Sequence, residues 1–230
     1  MAALLLGGVI GIPSFSQPVD HEVLEYVRAI RVQRDRLMYS VDVTIAASLP
    51  GLSKSGIFKA TKKHGTDNNT YEPVSFNGDG IIKTDVIARY LNAEIEAQKP
   101  EEMLAVEISP LNYKFTPKGH SKIGDRDALV YEVRPSHHHS GLFQGTVWLD
   151  PQSRLPLMEE GKLEKLPSIW LKDATFTRTY RIENGVSLPV SIHSEVHVRV
   201  IGKAIINVDF ANYHLQENPN AAAIADSGHR

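Results

Sequence analysis

Residues 20 to 33 carry Val23, Leu24, Val27 and Ile30 at helical spacing, with Asp20 placed to cap the first turn, and predict an amphipathic helix. The period then changes from 3.6 to 2. Tyr39, Val41, Val43 and Ile45 alternate with Ser40, Asp42 and Thr44, and strand-like runs follow at 55–63 and 69–76. A second helix is predicted over 84–98. Thr84 or Asp85 caps it, Val86, Ile87, Tyr90, Leu91 and Ile95 share one side, and Arg89, Asn92, Glu96 and Gln98 share the other. Pro100 is expected to stop it. From there to about Leu215 the pattern predicts only strands and turns, at 112–117, 128–135, 144–150, 156–166, 174–183, 186–200 and 204–215.

The last three strands place their apolar residues on even numbers: Ala174, Phe176, Tyr180 and Ile182, then Val190, Ile192, Val196 and Val198, then Ala204, Ile206, Val208 and Phe210. Alternation ties register to the buried face. A two-residue Asn184-Gly185 loop would set Ile182 opposite Ser187 and mix the faces. A three-residue loop, Glu183-Asn184-Gly185 with Gly185 left-handed, pairs Ile182 with Val186 and Phe176 with Ile192, and is the register expected here. The same reasoning makes Ile201-Gly202-Lys203 the next loop and pairs Val196 with Val208.

These elements predict an α+β fold: a strongly curved antiparallel sheet, an incomplete β-barrel, with about two helices covering its concave apolar face. Such an arrangement leaves an apolar cleft suited to a small molecule or an acyl chain, unless helices and sheet pack shut. At 230 residues one domain is expected, over 17–216, with 217–230 read as a frayed tail. Residues 1–16 hold an apolar stretch from Ala2 to Ile12 followed by Pro13, Ser14 and Ser16, which reads as a signal peptide cleaved near Ser16. That stretch is well short of the ~20 residues that span a bilayer. A formal net charge of −2, with no long run of either sign, gives no footprint for nucleic acid. The absence of cysteine excludes disulfides, thiol catalysis and an N-terminal lipidated cysteine.

The order of elements, together with GTVWLDPQSRLPLMEEGKL and YRIENGVSLPVSIHS, resembles the outer-membrane lipoprotein-sorting proteins, the LolA/LolB-like superfamily, and especially its exported bacterial members. Trp148, Asp150 and Pro156 carry that family's W-x-D-x-x-x-x-x-P element. The resemblance covers nearly all of the chain after the signal. It implies a periplasmic, non-enzymatic carrier that shields acyl chains of lipoproteins or lipids in a hydrophobic cavity under helical lids. Other members look like sensors of envelope stress or binding proteins of unknown ligand. The alternatives for this chain are a sensor or protein-docking module using the same cleft and a metal-dependent enzyme using Asp173, Glu195 and Asp209. No cofactor is implied.

Three places invite chemistry. His137-His138-His139 follow Pro135 and precede Gly141, so they read as an exposed turn, with a metal site as the alternative. The expected register sets Glu195 between Asp173 and Asp209 on the polar face, with His193 and His197 beside it, which is either a cation site or a solvated patch. Arg178 falls on the apolar face between Phe176 and Tyr180. Burying it alone costs several kcal/mol, so it either reaches the rim or meets an acidic side chain or an anionic head group. Arg178, Phe176 and Tyr180, with Ile87, Leu91 and Ile95 from the second helix as a lid, are therefore the expected cleft residues. No nucleophile elbow, zinc-protease helix, phosphate loop or dinucleotide fingerprint occurs.

Overall fold

A computed structural model describes residues 20–65, 69–165, 171–199 and 202–218. The expected signal peptide and most of the expected tail lie outside them. Helix α1 (His21–Arg36) is followed by strands β1 (Leu37–Leu49), β2 (Lys54–His64) and β3 (Asn69–Gly78), a π-helical turn (Ile82–Ile87) running into α2 (Ala88–Glu96), and α3 (Pro100–Val106). Seven strands complete the chain: β4 (Tyr113–Ile123), β5 (Arg126–Pro135), β6 (Phe143–Leu149), β7 (Pro156–Leu163), β8 (Leu171–Glu183), β9 (Val186–Val198) and β10 (Gly202–Glu217). Asp20 caps α1, its carboxylate accepting from the Glu22 N–H at 3.1 Å. Pro100 opens α3 at its first turn, where its missing N–H is no loss, so it begins a short helix that was not expected.

All ten strands join one antiparallel sheet in the order β3-β2-β1-β10-β9-β8-β7-β6-β5-β4. β3 and β4 are its two edges and do not pair with each other, so the sheet is an incomplete barrel. Bulges bend it. Register shifts interrupt β1 against β10 at Ser40/Asp42, β2 against β3 at Lys59/Ala60, β4 against β5 at Pro117/Gly119, and β6 against β7 at Trp148/Leu149. Each edge strand holds a proline beside its bulge, Pro73 in β3 and Pro117 in β4.

The expected hairpin registers are corrected. Ile182 lies opposite Ser187 and Glu183 opposite Val186, so the β8–β9 loop is the two-residue Asn184-Gly185 turn, with φ of 51° and 76°. Both central residues at positive φ match the twist of the flanking strands. A register shift between Thr179 and Tyr180 then realigns the faces, setting Arg178 opposite Ile192 and Phe176 opposite Ser194. The even-numbered residues share a face as the alternation required, but a bulge within the strand achieves this rather than a longer loop. β9 and β10 are also offset from expectation, with Val196 opposite Ala204 and Ile192 opposite Val208.

The apolar face closes into two cores. Under the π-helical turn, Val41, Val43, Ile45, Phe58, Val208 and Phe210 pack against Ile82, Val86 and Ile87. Under α1, Tyr113, Leu129, Val133, Phe143 and Val147 pack against Val23 and Tyr26. In this second core Gly161 is required. A Cβ there would sit 2.4 Å from the Phe143 ring, which instead crosses the glycine to meet Phe176 edge-on at 4.9 Å.

α1 is tied down along its length. Tyr131 donates to Asp20 and Glu22, and Arg154 reaches Glu25 at 3.0 Å. The Gln33 amide bridges the N–H and C=O of Ser187, and Glu107 takes Arg31 through two bonds and Arg34 through a third. Arg154 belongs to the turn after Trp148. There the Asp150 carboxylate accepts from the N–H groups of Gln152 and Ser153, so the Asp150–Arg154 turn forms the docking point for this helix.

Candidate functional site

Between the two cores runs a strip of inward-facing side chains that stay half-buried: Tyr39 on β1, Phe176, Arg178 and Tyr180 on β8, Tyr90 on α2 and Tyr213 on β10. They adjoin one another. The Tyr39 and Tyr213 rings lie 5.3 Å apart, the Arg178 guanidinium lies 5.8 Å from the Phe176 ring centre, and its Nη1 donates to the Tyr180 hydroxyl at 3.4 Å. The charge of Arg178 reaches Tyr39 and Tyr90 as well.

Two ion pairs are set into this apolar surface. Arg178 Nη1 meets Glu159 Oε2 at 3.3 Å. Glu159 is only 5% exposed, whereas the arginine side chain keeps 39% of its surface accessible. On β7 Glu159 continues the inward face of Leu157 and lies across from Val147 and Arg178. The second pair joins Lys62 of β2 to Glu94 of α2 at 2.8 Å, with Lys62 only 7% exposed, and Tyr71 of β3 donates to the same carboxylate oxygen.

The electrostatics follow from this geometry. Burial alone would raise the Glu94 carboxyl, but Lys62, Tyr71 and Arg178 outweigh it and hold the group below its ordinary value. Burial, reinforced by Glu94, pushes the phenols of Tyr71, Tyr39 and Tyr90 up, and burial with Glu159 does the same to Tyr180. Tyr180 and Glu159 hold Arg178 more firmly protonated against the effect of its desolvation. At neutral pH the strip therefore presents apolar rings, neutral hydroxyls and two internally balanced charge pairs.

Phe176, Arg178 and Tyr180 adjoin one another, and Arg178 meets the acid Glu159. Ile87 is buried and Leu91 packs on the edge of the same core. Ile95 is corrected: it is 39% exposed and faces away. Counted from Ile87 at about 100° per residue, Leu91 and Glu94 fall within about 40° of it and Ile95 about 80° away, so Glu94 rather than Ile95 meets Lys62. Glu94, Glu159 and Lys62 were not foreseen. Lys62 follows Phe58 and Ala60, and Glu159 follows Leu157, each at alternate positions, so the rule that singled out Arg178 also reaches these two.

The expected cation face is dispersed by the true register. Glu195 lies opposite Thr175 and Ile205, Asp209 opposite Ser191, and Asp173 opposite His197. His197 Nδ1 bonds Asp173 at 2.7 Å, while Glu195 binds Lys203 at 2.6 Å and His193 at 3.5 Å. Among the described residues no three His, Asp or Glu side chains converge as metal ligands. His137 and His138 lie exposed in the β5–β6 turn, His138 beside Glu164 at 3.0 Å, and His139 Nδ1 sits 2.6 Å from the Ser140 carbonyl.

An apolar recess of about 540 Å³ opens at the C-terminal end of α1, between Val32, Leu37, Leu155, Val186 and Leu215. Among the described residues no helix is long and apolar enough to cross a membrane.

No family model and no curated protein matches the chain. Solved structures do. A DUF1329 family protein from Desulfovibrio piger shares 13% identity at a TM-score of 0.47, covering 86% of this chain and 93% of that one. An outer membrane lipoprotein-sorting protein domain from Vibrio parahaemolyticus shares 14% at 0.46, covering 84% and 92%. A LolA superfamily protein from Nitrosomonas europaea shares 13% at 0.40, covering 86% and 94%.

Proposed function

We propose that this chain is a non-enzymatic, exported binding protein that holds the acyl chain of a lipid or lipoprotein against its concave face in the periplasm. The half-buried strip between the two cores carries the reading. A closed core would bury Tyr39, Tyr90, Phe176, Tyr180 and Tyr213 fully, and uncovered apolar area is penalised at about 25 cal/mol per Å². An acyl chain lying along those rings removes that penalty. The π-helical turn and α2 act as the lid, with Ile87 and Leu91 toward the sheet. The apolar recess beyond α1 gives a chain further room.

Delipidated protein titrated with a fluorescent long-chain fatty acid tests this, alongside native mass spectrometry of protein purified from the periplasm. Saturable binding and a co-purifying lipid are expected, and Leu91→Asp should abolish binding while the circular dichroism spectrum stays folded. Failure of the folded, delipidated wild type to bind any acyl probe would overturn the carrier reading in favour of a protein-docking module.

A further inference from the structure

The two ion pairs of the concave face are not equivalent. Lys62–Glu94 is closed, since both groups are largely buried and Tyr71 completes the carboxylate. Arg178–Glu159 is lopsided. Nη1 alone makes its two bonds, to Glu159 at 3.3 Å and to the Tyr180 hydroxyl at 3.4 Å, both at the long end for such contacts. Nε and Nη2 donate to nothing among the described residues.

A guanidinium meets a carboxylate best through two parallel bonds. Arg31 does so in this molecule, giving Nε to Glu107 Oε1 at 3.0 Å and Nη2 to Oε2 at 2.5 Å. The same Nε–Nη2 edge of Arg178 has no carboxylate beside it, although the side chain stands among aromatic rings inside the apolar face. Buried ion pairs add little net stability over apolar packing, so stability alone gives little reason for a charge at this position.

We infer that the free edge of Arg178 is the anchor for one anionic group, a carboxylate or phosphate, at the head of an acyl ligand. This rests on the acyl-binding reading and adds polarity to it: the head group sits at Arg178 and the tail runs along the neighbouring rings. Glu159 is a positioning residue. It holds Nη1 and leaves the Nε–Nη2 edge without a partner among the described residues, on a side chain 39% exposed, and its own charge weakens the anion's attraction. Tyr180, protonated at neutral pH, accepts from the same Nη1.

The test uses the full chain with a fluorescent fatty acid, its methyl ester, the matching alkyl phosphate and inorganic phosphate as competitor. Wild type should prefer both anionic amphiphiles over the ester by at least about tenfold, the range of a hydrogen bond to a charged partner. R178Q should collapse that preference to near one, and R178K, which keeps the charge without the fork, should fall between. E159Q should widen the preference severalfold, whereas a merely structural ion pair would make both R178Q and E159Q loosen binding alike. Equal binding of acid and ester by wild type overturns the inference while leaving the acyl-binding reading intact. Binding of no amphiphile at all defeats the reading beneath it. Full competition by inorganic phosphate also overturns the inference, because the anchor would then serve a free anion.

Discussion

α1 and the lid region cover two parts of one sheet by different means. α1 buries only Val23 and Tyr26, but its polar side chains are fastened at both ends and along the middle, by Tyr131, Arg154, Glu107 and Ser187. The lid buries Ile82, Val86 and Ile87 within its π-helical turn, while α2 beyond it has no fully buried residue and is held by Glu94 to Lys62 and Tyr71. Fastening through many rim contacts fixes a helix in place. Past the buried turn, α2 has one buried charge pair to hold it, and is the part of the lid that the acyl-binding reading requires to open.

The largest effect expected is on the lid. Replacing Lys62 by Met leaves Glu94 with most of its counter-charge gone and should cost about 3 kcal/mol in urea unfolding. K62M combined with E94L should recover most of that loss. The pH dependence sharpens the point. In the wild type the depressed Glu94 carboxyl contributes stability that is present above its unfolded value of about 4.3 and lost as pH falls through its folded value. In K62M the burial of Glu94 is opposed only by Tyr71 and Arg178. Its folded value should rise above the unfolded one, so that acidification toward that value narrows the gap to wild type. Melts at pH 7 and pH 5 measure this, and a gap that does not shrink would mean the pair holds nothing.

A smaller loss is expected at α1. E107Q removes the carboxylate shared by Arg31 and Arg34, with an expected cost of about 1 to 2 kcal/mol because both arginines are partly solvated. Glu107 is held low chiefly by its bonds to Arg31, so its contribution is present above about pH 4.3 and disappears as pH falls through the folded value. Hydrogen exchange should show α1 remaining the better protected helix in E107Q and the lid exchanging first in every variant. A lid protected as well as α1 would erase the contrast.

The smallest effect is expected at the hairpin. A Cβ on Gly185 meets nothing within 4 Å, so G185A tests backbone strain at positive φ alone and should cost about 1 kcal/mol. It should leave the protection of each helix as it is in the wild type.

The strands were legible because alternation announces a half-buried strand whatever its partners. Parity between strands was legible too, since Phe176, Ile192 and Val208 had to share a face. Absolute register was not. A two-residue turn followed by a bulge gives the same parity as a longer loop, and nothing in the residues around Val190 distinguishes them. The cation face relied on register and dispersed, whereas the placing of Arg178 on the inward face relied on parity alone. The π-helical turn was equally hidden. Ile82–Ile87 fits an ordinary helix by composition, and the wider turn shows in the burial of Ile82 and Ile87 together.

An open sheet has two rims, and each is a row of unpaired backbone groups that a second copy could extend. Pro73 and Pro117 lie in those rims, each beside a shift in pairing, where a missing N–H and a local kink interrupt the template. Val74, 69% exposed next to Pro73, would otherwise offer an adhesive edge. The sheet can stay open without offering a clean template for fibres, because the chain has spoiled its own margins.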